Sequence, residues 1–174
     1  LEALSRPTIG HLDPAFIEMM DEIKQLLQFA FQTSNELTLP VSAPGSAGME
    51  TVFANLLEPG DGVIVCQNGV FGMRMKENVE RCGAEAITVE DDWGSCIDVD
   101  KVEQTLQENP AVKALAFVHA ETSTGVRSDA DALCGLAAKY DCLSIMDAVT
   151  SLAGIEVDID GWGVDAVYSG TQKC

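Results

Sequence analysis

Near one end of the 174-residue chain, Lys173 follows Ser169-Gly170-Thr171-Gln172 and the apolar run Val164-Asp165-Ala166-Val167-Tyr168. A second run, Cys142-Leu143-Ser144-Ile145-Met146, delivers Asp147, 26 positions upstream of Lys173. An amine and a carboxylate presented at strand ends suit the two poles of pyridoxal 5'-phosphate. The amine condenses with the aldehyde, and the carboxylate keeps the pyridine nitrogen protonated so that the ring accepts electrons. Only a neutral amine attacks an aldehyde, so this chemistry requires surroundings that depress the lysine pKa. Each residue alone has a plainer reading: Lys173 as a solvated surface lysine, Asp147 as a turn or capping carboxylate.

A third group agrees with the pair. Gly45-Ser46-Ala47-Gly48 opens a helical stretch, where backbone amides and the helix dipole favour an anion such as a phosphate. Phe71, just after Asn68-Gly69, offers either an aromatic face for a pyridine ring or ordinary core packing. Thr122 offers a hydroxyl to the cofactor's phenolic oxygen, or serves as a turn residue in Thr122-Ser123-Thr124-Gly125. Gln172 is a candidate phosphate partner or a supporting contact. The two histidines, His11 and His119, stand apart, and no serine or cysteine sits in a nucleophile elbow. Neither a catalytic triad nor a zinc centre is expected.

These residues need elements to position them. Asp13-Pro14 opens a helix with an apolar face at Ile17, Met20, Ile23, Leu27 and Phe31. Leu37-Thr38-Leu39 reads as a short strand, and a helix is expected from the glycine-rich turn to about Leu57. Strands are expected at 63–66, 86–89, 114–118, 142–147 and 164–168. Helices are expected at 70–81, stopped by Gly83, at 99–108, and from a Ser128 cap to about Tyr140. The alternation and the wholly apolar strands define the fold class as α/β, a mostly parallel central sheet covered by helices on both faces. Ligands of such sheets bind beyond the carboxyl ends of the strands, where the polar clusters fall.

Composition sets limits on partners. Ten basic against 28 acidic residues give a net charge of −18, which repels nucleic-acid phosphates and anionic membrane surfaces. No segment is long and apolar enough to span a membrane. The six cysteines lack C-x-x-C spacing and read as small core residues in a reducing compartment. The chain has no initiating methionine and stops one residue past Lys173, so a fragment of a longer protein is expected.

Five segments then carry a specific resemblance: Ile9-Gly10-His11-Leu12-Asp13-Pro14, Gly45-Ser46-Ala47-Gly48-Met49-Glu50, Asn68-Gly69-Val70-Phe71-Gly72, His119 to Gly125, and Tyr168-Ser169-Gly170-Thr171-Gln172-Lys173. In this order they resemble the alanine–glyoxylate and serine–glyoxylate aminotransferases, class V pyridoxal-phosphate enzymes of fold type I. The resemblance implies that Lys173 forms the Schiff base with pyridoxal 5'-phosphate and that Asp147 partners the pyridine nitrogen. It implies Phe71 as the stacked aromatic, Thr122, Val149 and Gln172 as further cofactor contacts, and Gly45, Ser46 and Ala47 in the phosphate loop. Where many members carry Ser or Thr, Pro44 brings neither a hydroxyl nor an amide hydrogen.

By the same resemblance, residues 1–174 are an incomplete large domain, and the small C-terminal domain lies beyond them. The substrates are alanine or serine with glyoxylate or a similar 2-oxo acid. The full-length protein is a homodimer, in the cytoplasm or, in a eukaryote, a peroxisome or mitochondrion. Arg6, Arg74, Arg81 and Arg127 do not match the arginine that holds the substrate carboxylate, so the chain alone is expected to turn over little. Two alternatives stay open. A cysteine desulfurase or related lyase usually carries histidine before the lysine, where this chain has Gln172; a non-catalytic assembly domain would keep these residues as relics.

Overall fold

The computed structural model describes residues 2–174, which form two compact units divided between Pro40 and Val41. In the first, a 3-10 turn (Glu2–Ser5) precedes helix α1 (Pro14–Phe31). The Asp13 carboxylate accepts from the Ala15 amide at 2.9 Å, and proline takes the first helical position, where no hydrogen bond is lost. Met20, Ile23, Leu27 and Phe31 form a half-buried stripe, whereas Ile17 stays exposed. The helix ends at Gln32, whose left-handed φ of 51° turns the chain away.

The strand expected at Leu37-Thr38-Leu39 does not form. Asn35 Oδ1 accepts from the Leu37 amide at 2.8 Å, and Thr38 Oγ1 donates to the Asn35 carbonyl at 2.7 Å. Local bonds thus satisfy groups that a neighbouring strand would otherwise pair, and both leucines face solvent.

The second unit alternates helix and strand: α2 (Gly45–Leu56), β1 (Gly62–Gln67), α3 (Val70–Arg81), β2 (Glu85–Glu90), α4 (Val99–Glu108) and β3 (Ala114–Val118). A hairpin of β4 (Ala120–Glu121) and β5 (Val126–Arg127) follows, then α5 (Ala130–Lys139), β6 (Leu143–Asp147), α6 (Ile159–Trp162) and β7 (Ala166–Tyr168). The main sheet has the order β2-β1-β3-β6-β7, and all its pairings are parallel. The small hairpin and α6 lie outside the sequence expectation, being too short to show a period.

Alternation along the strands divides the core in two. Val63, Val65, Ala114, Ala116, Val118 and Ile145 pack with Met49 and Phe53 of α2 and Met75 and Val79 of α3. The intervening Ile64, Leu115, Phe117 and Met146, also fully buried, face the other side, where α4 and α5 supply Val102, Leu106 and Leu133. Burial on both faces explains why the strands read as continuous apolar runs. Ser128 does not cap α5. Asp129 does, accepting from the Ala132 amide at 3.1 Å, while the buried Ser128 hydroxyl accepts from Ile97 N at 3.3 Å. No helix among the described residues is long and apolar enough to cross a membrane.

Phe53, fully buried at the centre of the α2 side, has no space to be replaced by water. Phe53→Ala is expected to destabilise the chain by about 3–5 kcal/mol. A urea unfolding series read by far-ultraviolet circular dichroism measures it; a loss under about 1 kcal/mol would mean that α2 does not seat on the sheet as described.

Candidate active site

Because β1, β3, β6 and β7 run parallel, the residues that follow them emerge on one rim. Connections from β1 and β3 depart to opposite faces, the kind of divergence at which ligands of parallel sheets bind. Asn68-Gly69 lies on one side of that divergence and His119-Ala120-Glu121 on the other.

Asp147, the last residue of β6, is only 3% exposed. Val149 N donates to its Oδ1 at 2.8 Å, and the hydroxyl of Tyr168, its register partner on β7, donates to Oδ2 at 3.0 Å. Burial pushes the Asp147 pKa up to about 6; the Glu121 charge adds to the rise and the two hydrogen bonds oppose it. Burial likewise raises the Tyr168 phenol well above its ordinary range, so it stays a donor. Among the described residues no cation forms an ion pair with Asp147, Lys173 included.

The opening turn of α2 stands over the same corner. A β carbon on Gly45 would lie 3.4 Å from Val149 Cγ2 and 3.8 Å from Gly170 Cα, and one on Gly48 would lie 3.4 Å from Tyr168 Cβ. Pro44 has no side-chain acceptor, so the first amides of α2 receive no side-chain cap. Ala47 N donates to the Pro44 carbonyl at 2.8 Å, and Ser46 is exposed.

The remaining expected residues lie on loops and helix ends of the same rim. Thr122 Oγ1 donates to Thr150 Oγ1 at 3.3 Å, and Thr150 Oγ1 donates to the Ala120 carbonyl at 2.5 Å, tying the hairpin to the turn after Asp147. Phe71 is half-buried against the α2 side of the core, with the Arg74 guanidinium carbon 5.2 Å from its ring centroid. Gln172 and Lys173 are exposed. Their segment runs from Gly170, beside Gly45, to Cys174, whose Sγ donates to the Thr150 carbonyl at 3.7 Å. Lys173 therefore lies on a strap whose two ends both touch the Asp147 corner.

Two buried residues on the rim had no role assigned from sequence. His119 packs edge-on against Trp162, with ring centroids 5.4 Å apart, and burial lowers its pKa to about 4, so it is neutral at pH 7. Glu121 is fully buried, and its carboxylate accepts four hydrogen bonds, from Phe71 N, Gly72 N, Ser123 N and Ser123 Oγ. Its partners on α3 lie some 50 positions away, a separation that no local pattern reveals.

These residues fit pyridoxal phosphate. A buried carboxyl without a cationic partner favours a pyridinium N–H, and the uncapped turn of α2 favours a phosphate. The fit also fixes how stability depends on pH without the cofactor. The folded-state pKa of Asp147, about 6, lies above its ordinary 3.8, so the folded chain binds the proton more tightly. Stability falls as pH rises through that window and stays lowered above it, by about 3 kcal/mol. Asp147→Asn is expected to make the cofactor-free chain more stable at pH 7.5 by about 1–3 kcal/mol, with the gap closing towards pH 4. Urea midpoints of both chains across pH 4–8 check this; an Asn variant less stable at pH 7.5 would contradict it.

Known proteins are similar to this chain in sequence and in fold. The family description "Aminotransferase class-V" matches residues 3–174. The chain is 44% identical over 165 residues to the alanine–glyoxylate aminotransferase of Oryctolagus cuniculus, a match covering 95% of this chain and 42% of that protein. The solved ureidoglycine–glyoxylate aminotransferase of Bacillus subtilis matches with a TM-score of 0.93 at 37% identity, over 99% of this chain and 44% of that one. The alanine–glyoxylate aminotransferase of Nostoc sp. matches with a TM-score of 0.90 at 41% identity, over 97% and 44%. The chain thus spans less than half the length of these relatives. A fold-type I sheet, a family match along nearly the whole chain and these identities place it in the aminotransferase class-V family.

Proposed function

We propose that the chain is most of the large domain of a pyridoxal-phosphate aminotransferase that moves an amino group from alanine or serine to glyoxylate or a similar 2-oxo acid. The observation that carries the reading is the corner itself: a buried Asp147 carboxyl beneath the uncapped turn of α2, bordered by Val149 and by the strap bearing Lys173. Glyoxylate as acceptor is supported by two relatives whose names share it while differing in the amino donor.

When bound, pyridoxal phosphate supplies an aldehyde carbon for the lysine and a ring that accepts the electron pair of the substrate's α carbon. Asp147 holds a proton on the pyridine nitrogen through its free acceptor capacity, kept in place by Val149 N and Tyr168 Oη. Gly45 and Ser46 would offer backbone amides to the phosphate at the helix N-terminus, with Ala47, whose amide already donates to the Pro44 carbonyl, lining the same turn. Phe71 would offer an aromatic face to the ring, Val149 would be a further cofactor contact, and Thr122 would offer its hydroxyl to the phenolic oxygen. Gln172 supports the phosphate side. The Lys173 amine would hold the cofactor's aldehyde carbon and, when free, would carry the proton at the substrate's α carbon.

The full-length protein acts as a homodimer on small amino and 2-oxo acids, in the cytoplasm. Its small domain supplies the arginine for the substrate carboxylate. Gln172 before Lys173 favours this reading over a desulfurase. In the full-length protein, Lys173→Ala is expected to keep the fold and still bind pyridoxal phosphate, but to lose the visible absorption of the lysine-bound form and essentially all transamination. Spectra and assays with alanine, serine and cysteine against glyoxylate decide it; an unchanged visible band in the variant would refute the assignment.

A further inference from the structure

We propose that Glu121 is a positioning residue: from the hairpin after β3 it holds the first turn of α3, and with it the Phe71 ring, in the place where that ring covers the cofactor. This rests on the aminotransferase reading above.

Gly69, the N-cap of α3, has no side chain, so nothing local caps this helix. Residues from the other side of the rim do so instead. Ser123 Oγ accepts from Val70 N at 3.0 Å, and Glu121 Oε2 accepts from Phe71 N at 3.1 Å and Gly72 N at 3.4 Å. Glu121 Oε1 takes the Ser123 amide at 3.0 Å and the Ser123 hydroxyl at 2.7 Å, which aims that hydroxyl's free lone pair at Val70. The first three amides of α3 are therefore bound by two side chains of one turn.

Space around the helix end permits this seating and little else. A β carbon on Gly69 would come within 2.5 Å of Glu121 Cδ and 2.6 Å of Ser123 Oγ, so glycine is needed for the carboxylate to reach the amides. One on Gly72 would come within 2.6 Å of the Cys66 carbonyl and 2.9 Å of Gln67 Cα, so the turn rests directly on the end of β1. A fully buried carboxylate is strongly disfavoured unless its lone pairs are filled; here four donors and the positive end of a helix fill them. Phe71 lies on the clamped turn itself, so its backbone cannot shift without breaking a charge-assisted bond.

Glu121→Gln preserves shape but points an amide N–H₂ at donors, which loosens the turn. In the full-length protein it is expected to weaken pyridoxal phosphate binding about tenfold, the scale of one well-placed aromatic contact, and to reduce the visible circular dichroism of the bound cofactor. Phe71→Leu should lose a similar amount. The double variant should lose at most about twofold beyond Phe71→Leu, because both changes remove the same contact. Ser123→Ala, which keeps the carboxylate, should give a smaller loss that likewise vanishes in the Phe71→Leu background, and it serves if Glu121→Gln does not fold. Wild-type binding and dichroism in Glu121→Gln, or losses that multiply in the double variant, would overturn the positioning role alone. Failure of the wild-type protein to bind pyridoxal phosphate would instead remove the aminotransferase reading and this inference with it.

Discussion

A carboxyl group held out of water at the end of β6 sets the terms for everything around it. The chain carries 28 acidic residues, and nearly all solve the same problem by facing solvent. Asp147 does not: it is 3% exposed, seated between its register partners Val118 on β3 and Tyr168 on β7. Removing a carboxylate from water is unfavourable by several kcal/mol unless hydrogen bonds or an opposite charge replace hydration. Two hydrogen bonds are present, from Val149 N and Tyr168 Oη, and they do not suffice: the group still holds its proton up to about pH 6. A site in which burial outweighs local stabilisation calls for a cation, and pyridoxal phosphate offers one at its ring nitrogen.

The parallel sheet explains how so much converges on that group. Each crossover returns the chain to the same starting edge, so every strand ends on the same rim, however far apart in sequence. Gly45 meets Val149 and Gly170 across more than a hundred positions, and Phe71 meets Glu121 across fifty. Neither contact needs a long flexible loop. The strands register within the sheet, as Asp147 does with Tyr168, and the loops inherit that register.

Much of this was legible before any coordinates. Strands buried on both faces read as unbroken apolar runs, and Gly83 and Asp13-Pro14 marked helix ends through their backbone preferences. The residues at strand ends were visible for the same reason. Leu37-Thr38-Leu39 misled because an apolar β-like triplet carries no information on whether a partner strand exists; the neighbouring Asn35 side chain supplied the alternative. Ser128 and Asp129 are both good helix caps, and only the burial of Ser128 against Ile97 decides between them. Glu121 leaves no such mark, since a carboxylate that caps a distant helix has no signature in its own neighbourhood.

The two buried carboxylates of the rim are best understood together. They lie close enough that the charge of Glu121 raises the pKa of Asp147, yet their surroundings differ in kind. An ionised carboxylate offers about four acceptor positions. Glu121 has four donors from the protein, so its capacity is used up and its role is architectural. Asp147 has one donor on each oxygen and retains the rest. Chemical similarity therefore conceals a division of labour that hydrogen-bond saturation makes plain: the filled carboxylate fixes the helix, and the unfilled one is left to meet a ligand. The repulsion between them sharpens that difference, because the fixed charge of Glu121 makes Asp147 hold more tightly to any proton or cation brought to it.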